Sequence, residues 1–398
     1  MKRVGIIFAA LGMLLMVSCE KDDETYSLDV TVKYPDNYKS TLVKDAKLYV
    51  SKEGSSRIDS VLTDESGVGT FLGLSPGTYE IKVVKKLKAS AVEEETGVNE
   101  ELTLMAVEKG VSIVGNTTQH LTLAGSVLGN LVFKEVYYTG SKTSEGKTYF
   151  SDQYYEIYNN STEVIYADKL CLGVVDGWAF KPSLSVWLPT YPSKLAIQSF
   201  WYVPGSGNEH PIQPGESIII AQDGMNHKTD PLGNPNSPVN LSDANWEVFV
   251  PRDDNKDIDV PTTPNMEYGY ATFLGYDWLT SVFGSGYVLF RIEGDIATYV
   301  DNNKVIRPES SSTREYVLID NTSVIDGFQA YKDDSETGMP KLHPAIDAGF
   351  TFDPNGTYTG KCVRRKVKAV IKGRTIYQDT NNSTNDFINN QECQPRQN

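Results

Sequence analysis

Apolar and polar residues alternate with a period of two where the chain first settles into a pattern. Leu28, Val30, Val32 and Tyr34 fall on one side, and Asp29, Thr31 and Lys33 fall on the other. That alternation predicts a half-buried strand. Further short apolar segments follow near 46–50, 58–62, 67–74 and 78–84, separated by Gly, Pro and Asp turns. Strands this short and this regularly punctuated predict an all-β sandwich. In the second half, strands are expected at 131–138, 153–158, 218–221 and 287–292. Apolar residues rarely recur at the 3.6-residue spacing of a helix, so no helix is predicted.

The stretch Thr63-Asp64-Glu65-Ser66-Gly67-Val68-Gly69-Thr70-Phe71-Leu72-Gly73-Leu74-Ser75-Pro76-Gly77-Thr78-Tyr79-Glu80-Ile81 reads as hairpin turn, strand, Pro-Gly turn and strand. Pro76 presets the turn and Gly77 is expected to supply the positive φ of a type II turn. This order resembles the carboxypeptidase-regulatory-like, or collagen-adhesin-stalk, family of small immunoglobulin-like sandwiches, over residues 26 to 124. The resemblance implies a spacer or stabilising module without catalysis.

A second resemblance rests on three pieces: Leu131-Val132-Phe133-Lys134-Glu135-Val136-Tyr137-Tyr138, the strand-to-turn Tyr155-Glu156-Ile157-Tyr158-Asn159-Asn160-Ser161, and Pro214-Gly215-Glu216 before the aliphatic run Ile218-Ile219-Ile220-Ala221. Together they look like the lamin-tail domain, another immunoglobulin-like sandwich. Residues 131–398 form a region larger than a compact sandwich of about 100 residues. Long insertions are therefore expected at roughly 176–211 and 222–284. The fold class read from the sequence is all-β: two immunoglobulin-like sandwiches, 28–124 and 131–398, the second enlarged by long loop insertions.

The pattern changes at the start of the chain. Lys2 and Arg3 precede an apolar run from Val4 to Val17, which closes on Met16-Val17-Ser18-Cys19. A short apolar core with a small residue before the cut is a secretory signal and too short to span a bilayer. It resembles a lipoprotein signal, which implies that residues 1–18 are removed and that Cys19 carries the lipid. Glu20 and then Lys21, Asp22, Asp23 and Glu24 resemble the acidic export tag of Bacteroidetes-type surface lipoproteins, with residues 19–27 as a tether. The resemblance implies a chain in the outer membrane, held by its lipid and facing the cell exterior. It resembles an uncharacterised surface-lipoprotein family of that group.

Composition narrows the partners. The chain has 398 residues, a formal net charge of −15 and a hydrophobic content of 39%. A packed core is expected and wholesale disorder is not. An acidic surface argues against nucleic acid, because phosphate binding needs a positive footprint. Beyond Cys19 there are Cys171, Cys362 and Cys393. An exported chain can form one disulfide from these three. Cys362–Cys393 and Cys171–Cys362 are the favoured pairs, and spacing does not choose between them.

Candidate chemistry is sparse. The five tryptophans, Trp178, Trp187, Trp201, Trp246 and Trp278, fall within the expected insertions, as does Tyr202. Aromatic rings on rigid loops can stack on sugars or form a protein-binding hot spot, so these six are the candidate ligand-binding residues. The competing reading is that they pack the insertions onto the sandwich. Asp253-Asp254-Asn255-Lys256-Asp257-Ile258-Asp259 offers oxygens at alternate positions but lacks the glycine and terminal Glu of a calcium-binding EF-hand loop. It reads as a solvated acidic loop, and no metal or other cofactor is assigned. The basic run Lys361, Arg364, Arg365, Lys366, Lys368, Lys372 and Arg374 reads as a charged edge strand. Its functional alternative is docking to an anionic glycan. His120, His210, His227 and His343 form no His-Glu-x-x-His pair, no Gly-x-Ser-x-Gly elbow is present, and Glu209-His210 is an isolated neighbour pair.

These features predict a lipid-anchored surface protein with a binding or accessory role and no catalytic residues. A glycan, a protein or a TonB-type outer-membrane transporter is the expected partner. The alternatives are a surface polysaccharide hydrolase and a structural envelope component.

Overall fold

The structure is a computed structural model and describes residues 24–397 except 35–37, 56, 89, 93–101, 126–130, 178–183, 254–256, 276, 279, 309, 337–338 and 372. Cys19, Lys21, Asp22, Asp23 and Trp178 lie outside the described residues. The chain divides into two compact units: residues up to Leu87 together with Thr103–Ala124, and Lys88–Leu102 together with Gly125–Asn398.

In the first unit the alternating residues of Tyr26–Lys33 make the central strand of a three-stranded sheet. It pairs antiparallel with Val68–Leu74 and parallel with Thr117–Thr122. A second sheet carries Ile58–Leu62, Lys47–Lys52, Gly77–Leu87 and Leu102–Ile113 in that order. Leu28, Val30, Val32, Leu48, Ile81 and Val83 are fully buried, as a pleated strand with one apolar face dictates. Gly67, at φ 68°, is required here: a Cβ would lie 2.9 Å from the Val32 carbonyl oxygen. Gly77 differs from expectation. It opens the strand Gly77–Leu87 at φ 158°, far from the φ of about 80° that a type II turn needs.

The second unit is a larger sandwich. One sheet has the order Trp246–Glu247, Ser217–Ala221, Tyr154–Asn159, Leu131–Tyr137, Lys361–Arg365, Phe387–Glu392. The other has the order Lys304–Ile306, Glu315–Asp320, Lys194–Tyr202, Cys171–Val175, Gly286–Phe290, Val324–Gln329, with Glu267–Ala271 also pairing to Lys194–Tyr202. The central core includes Phe133, Tyr155, Ile157, Leu172, Trp201, Tyr287 and Phe328 from strands of the two sheets.

Each sheet also buries residues on its other face. Cys171, Phe200, Val288 and Phe290 pack with Ile296 and Val300 of the short helix Ile296–Asn303. Tyr137, Tyr154, Ile219 and Cys362 pack with Val239 and Leu241. The helix runs counter to the all-strand expectation. Asp295 caps it by accepting from the Thr298 N–H at 2.8 Å, and Ile296 and Val300, four residues apart, form its buried face.

Two expectations need correction. The segment 176–211 is not a loop insertion, since Lys194–Tyr202 is an internal strand of the second sheet. Its near-continuous apolar run suits a strand covered on both faces. The basic run is an edge strand only in its second half, where Val367–Ile371 pairs with Arg374–Tyr377 alone and is largely exposed. Lys361–Arg365 lies between Leu131–Tyr137 and Phe387–Glu392, and its charges are paired internally. Arg365 is buried against Asp326 at 2.5 Å, and Arg364 pairs with Glu135.

Candidate functional site

The described candidate aromatic residues occupy strands, a connection and the short helix Leu184–Trp187, and packing fixes their rings. Trp201 is 1% exposed because its strand turns it into the central core. Trp278 is 4% exposed, lies 5.0 Å from Trp201 between ring centroids, and donates its indole N–H to Ser199 Oγ at 3.1 Å. Trp246 is buried against the edge of the His210 ring at 5.3 Å. Trp187 is buried against Tyr316 and donates to Asp176 Oδ2 at 2.8 Å. Tyr202 is half-buried beside the outer cluster of the second sheet. As a set of exposed stacking platforms these residues are therefore corrected. Their apolar area is used in packing, and only part of it reaches a ligand-accessible surface.

That part is a cavity of about 450 Å³ in the second unit. Trp201 and Trp278 supply its apolar lining, with Phe273 and Leu274 at its more exposed side. Phe273 is 69% exposed, and the Arg314 guanidinium sits 5.6 Å from its ring centroid, a cation–π arrangement. Asp176 and Arg307 form a polar group in the same lining, 2.8 Å apart. Burial, and then the Asp176 charge, push the neighbouring Tyr316 phenol up to about 12, so it remains a neutral hydrogen-bond donor. The cavity thus combines aromatic faces, two guanidinium groups and a phenol, a set suited to a ring-shaped polar ligand.

Phe273, Leu274, Arg307 and Arg314 were not singled out from the sequence. The signal available was an apolar pair, Phe273-Leu274, ahead of Gly275. The arginines carried none, because they lie more than 30 residues away and are brought close by strand pairing.

Glu209 and His210 do meet a third ligand-type residue. One potential ligand atom from each of Asp168, Glu209 and His210 lies within 4.8 Å of the others. The Asp168 carboxylate, however, already accepts the backbone N–H groups of Gly207, Glu209 and His210 at 3.2, 3.0 and 2.9 Å. Those bonds hold Asp168 below the usual carboxylate range against the opposing effect of burial. The group is a loop clamp. Of the three cysteines, Cys362 and Cys393 pack into one cluster, while Cys171 belongs to another on the second sheet.

No curated protein matches the chain. Among solved structures, a DUF3823 family protein from Parabacteroides merdae is similar over 39% of this chain and 68% of its own, at 14% identity and a TM-score of 0.17, too little to carry an argument. A DUF4876 family protein from Bacteroides thetaiotaomicron is similar over 94% of this chain and 97% of its own, at 27% identity and a TM-score of 0.63. In keeping with that likeness, residues 213–394, which hold Phe273, Trp278, Arg307 and Arg314, match the DUF4876 family, described as a protein of unknown function.

Proposed function

We propose that this chain is a lipid-anchored outer-membrane protein, facing the cell exterior, that binds a carbohydrate in the cavity of its second unit. The anchor and export tag rest on Cys19 and on Lys21, Asp22, Asp23 and Glu24. The first unit, like the carboxypeptidase-regulatory-like sandwiches it resembles, serves as a spacer. The second, resembling an extended lamin-tail domain, carries recognition.

The observation behind this reading is the pairing of Phe273, largely exposed, with Arg314 beside Trp201 and Trp278. An aromatic face packs against the apolar C–H face of a sugar, and a guanidinium donates hydrogen bonds to carboxylate or hydroxyl oxygens. Recognition is favoured over hydrolysis by how the lining acids are engaged. Asp176 is held by Arg307 and Trp187, which leaves no free carboxylate there to act as the second member of a glycosidase pair with Asp277.

The test is a glycan-array screen of the purified chain, followed by calorimetry on the ligand found. Phe273→Ala and Arg314→Ala are each expected to weaken binding about tenfold, from the loss of one stacking or charged contact. Full affinity in both variants overturns the cavity as the binding site. Release of a Cys19→Ala variant from membranes checks the anchor separately.

A further inference from the structure

The charges around the cavity are not all engaged by one another. Asp176 and Arg307 neutralise each other at 2.8 Å, and Asp176 Oδ2 also accepts the Trp187 indole N–H at 2.8 Å. Asp277 is buried, and its Oδ2 accepts from the Gln222 amide at 2.7 Å. Burial raises its carboxyl above the usual range, which disfavours its charge. Arg314 is the remaining charged residue of the lining. Acids outnumber bases in this chain, 52 to 37, yet among the described residues the Arg314 side chain makes no ion pair. It lies against the Phe273 ring instead, 5.6 Å from the centroid.

The backbone sets this arrangement. Arg314 and Tyr316 are two residues apart where the strand Glu315–Asp320 begins, and both line the cavity. Glu315, between them, is not part of the lining, and its charge acts on Tyr270 and Lys304. The facing wall is tied to the same strand. Tyr270 Oη and Thr272 Oγ1 donate to the Glu315 carbonyl oxygen at 2.9 and 2.5 Å, and the Thr272 N–H donates to the Gln198 carbonyl oxygen at 2.8 Å. Phe273 follows directly, so these bonds hold its ring beside the guanidinium.

Stacking on a ring face uses none of the five N–H donors of a guanidinium. Arg314 is therefore a positioned cation whose donor fork is open, and that flat edge matches the two oxygens of a carboxylate in one plane. A sugar bearing hydroxyls alone leaves its charge uncompensated. We infer that the carbohydrate taken by this cavity carries a carboxylate, as a uronic acid unit does, and that Arg314 is the residue that selects it. The inference rests on the carbohydrate reading above and narrows it to acidic sugars.

The experiment uses the whole purified chain and paired probes: oligosaccharides of glucuronic, galacturonic and mannuronic acid, each as free acid and as methyl ester. Neutral and sulfated oligosaccharides are run alongside. Esterification removes the charge and keeps the sugar. Calorimetry is expected to show a free acid bound about tenfold more tightly than its ester, since hydrogen bonds between charged partners are the stronger kind. Arg314→Gln should abolish that preference and leave ester binding within about twofold, because a neutral partner gains little from the charge. Phe273→Ala should weaken acid and ester alike. Lys304→Gln removes an exposed cation paired with Asp301 and outside the lining, and should keep the preference. Arg314 is exposed, so its replacement leaves the core untouched.

Four results overturn the selection: acid and ester of equal affinity, a preference that survives Arg314→Gln, an equal loss in Lys304→Gln, or binding confined to sulfated probes. Binding of neutral sugars alone, lost in Phe273→Ala, overturns it as well but supports the carbohydrate reading. No binding by any probe overturns both.

Discussion

The two units bury their strands differently. In the first, Tyr26–Lys33 alternates, with Leu28, Val30 and Val32 inside and their neighbours half-buried or exposed. Ile58, Leu62 and Leu72 are 63%, 60% and 78% exposed on their strands. In the second, every residue of Leu131–Tyr137, Tyr154–Asn159, Cys171–Val175, Gly286–Phe290 and Val324–Gln329 is buried. Outer layers are the reason: Val239 and Leu241, from a segment expected as an insertion, cover one sheet, and Ile296, Val300, Leu342 and Ile346 cover the other.

Two-sided burial has a consequence for polar residues. Among the described residues, Thr63 is the buried polar side chain of the first unit. The second buries Lys134 with Glu156 at 3.0 Å and Arg365 with Asp326, along with Asp223, Glu247, Asp257 and Asp277. A strand covered on both faces cannot send a charge to water, so each charge needs an internal partner.

The largest test of this contrast is a pair of truncations. Phe290→Ala, on the outer face of the second unit, is expected to cost about 3–5 kcal/mol, whereas Leu72→Ala in the first should stay within about 0.5 kcal/mol. Urea unfolding followed by hydrogen exchange in each unit measures both. Similar small losses at the two positions break the comparison.

A covalent tie sharpens it. The three described cysteines all lie in the second unit, and Cys362 and Cys393 share one cluster. Treatment with oxidised glutathione should join Cys362 to Cys393, leave Cys171 free, and stabilise the second unit by about 2 kcal/mol. Peptide mapping without reductant reads the pairing, and a Cys171–Cys362 product contradicts it.

A further test is the pH dependence. Burial pushes Asp152 and Asp347 of the second unit up to about 6. A raised carboxyl pKa means that the folded state holds the proton more tightly than the unfolded chain, whose Asp titrates near 3.9. The stabilisation is complete below about pH 4 and is lost as pH rises through about 6. Hydrogen exchange should show protection of Tyr154–Asn159 falling over that window while Tyr26–Lys33 changes less. Protection of Tyr154–Asn159 that climbs instead reverses the assigned sign.

The strands of the first unit were legible because alternation follows directly from one-sided burial. The same rule misled in the second unit. Lys194–Tyr202 does not alternate cleanly, so its pattern with its flanks reads as a loop although it is an internal strand. The tryptophans drew attention as a cluster in sequence, yet four of them are core residues. The exposed ring of the cavity is Phe273. Asp257 was visible as part of an acidic segment, but its burial was not.

Local pattern alone therefore determined the β class, the placement of the first unit's strands and the sparseness of catalytic motifs, because these depend on residues a few positions apart. Tertiary structure decided which aromatic faces meet solvent and which charges are paired inside. Those outcomes depend on groups tens to hundreds of residues apart and on the layers that cover them, information that no period along the chain encodes.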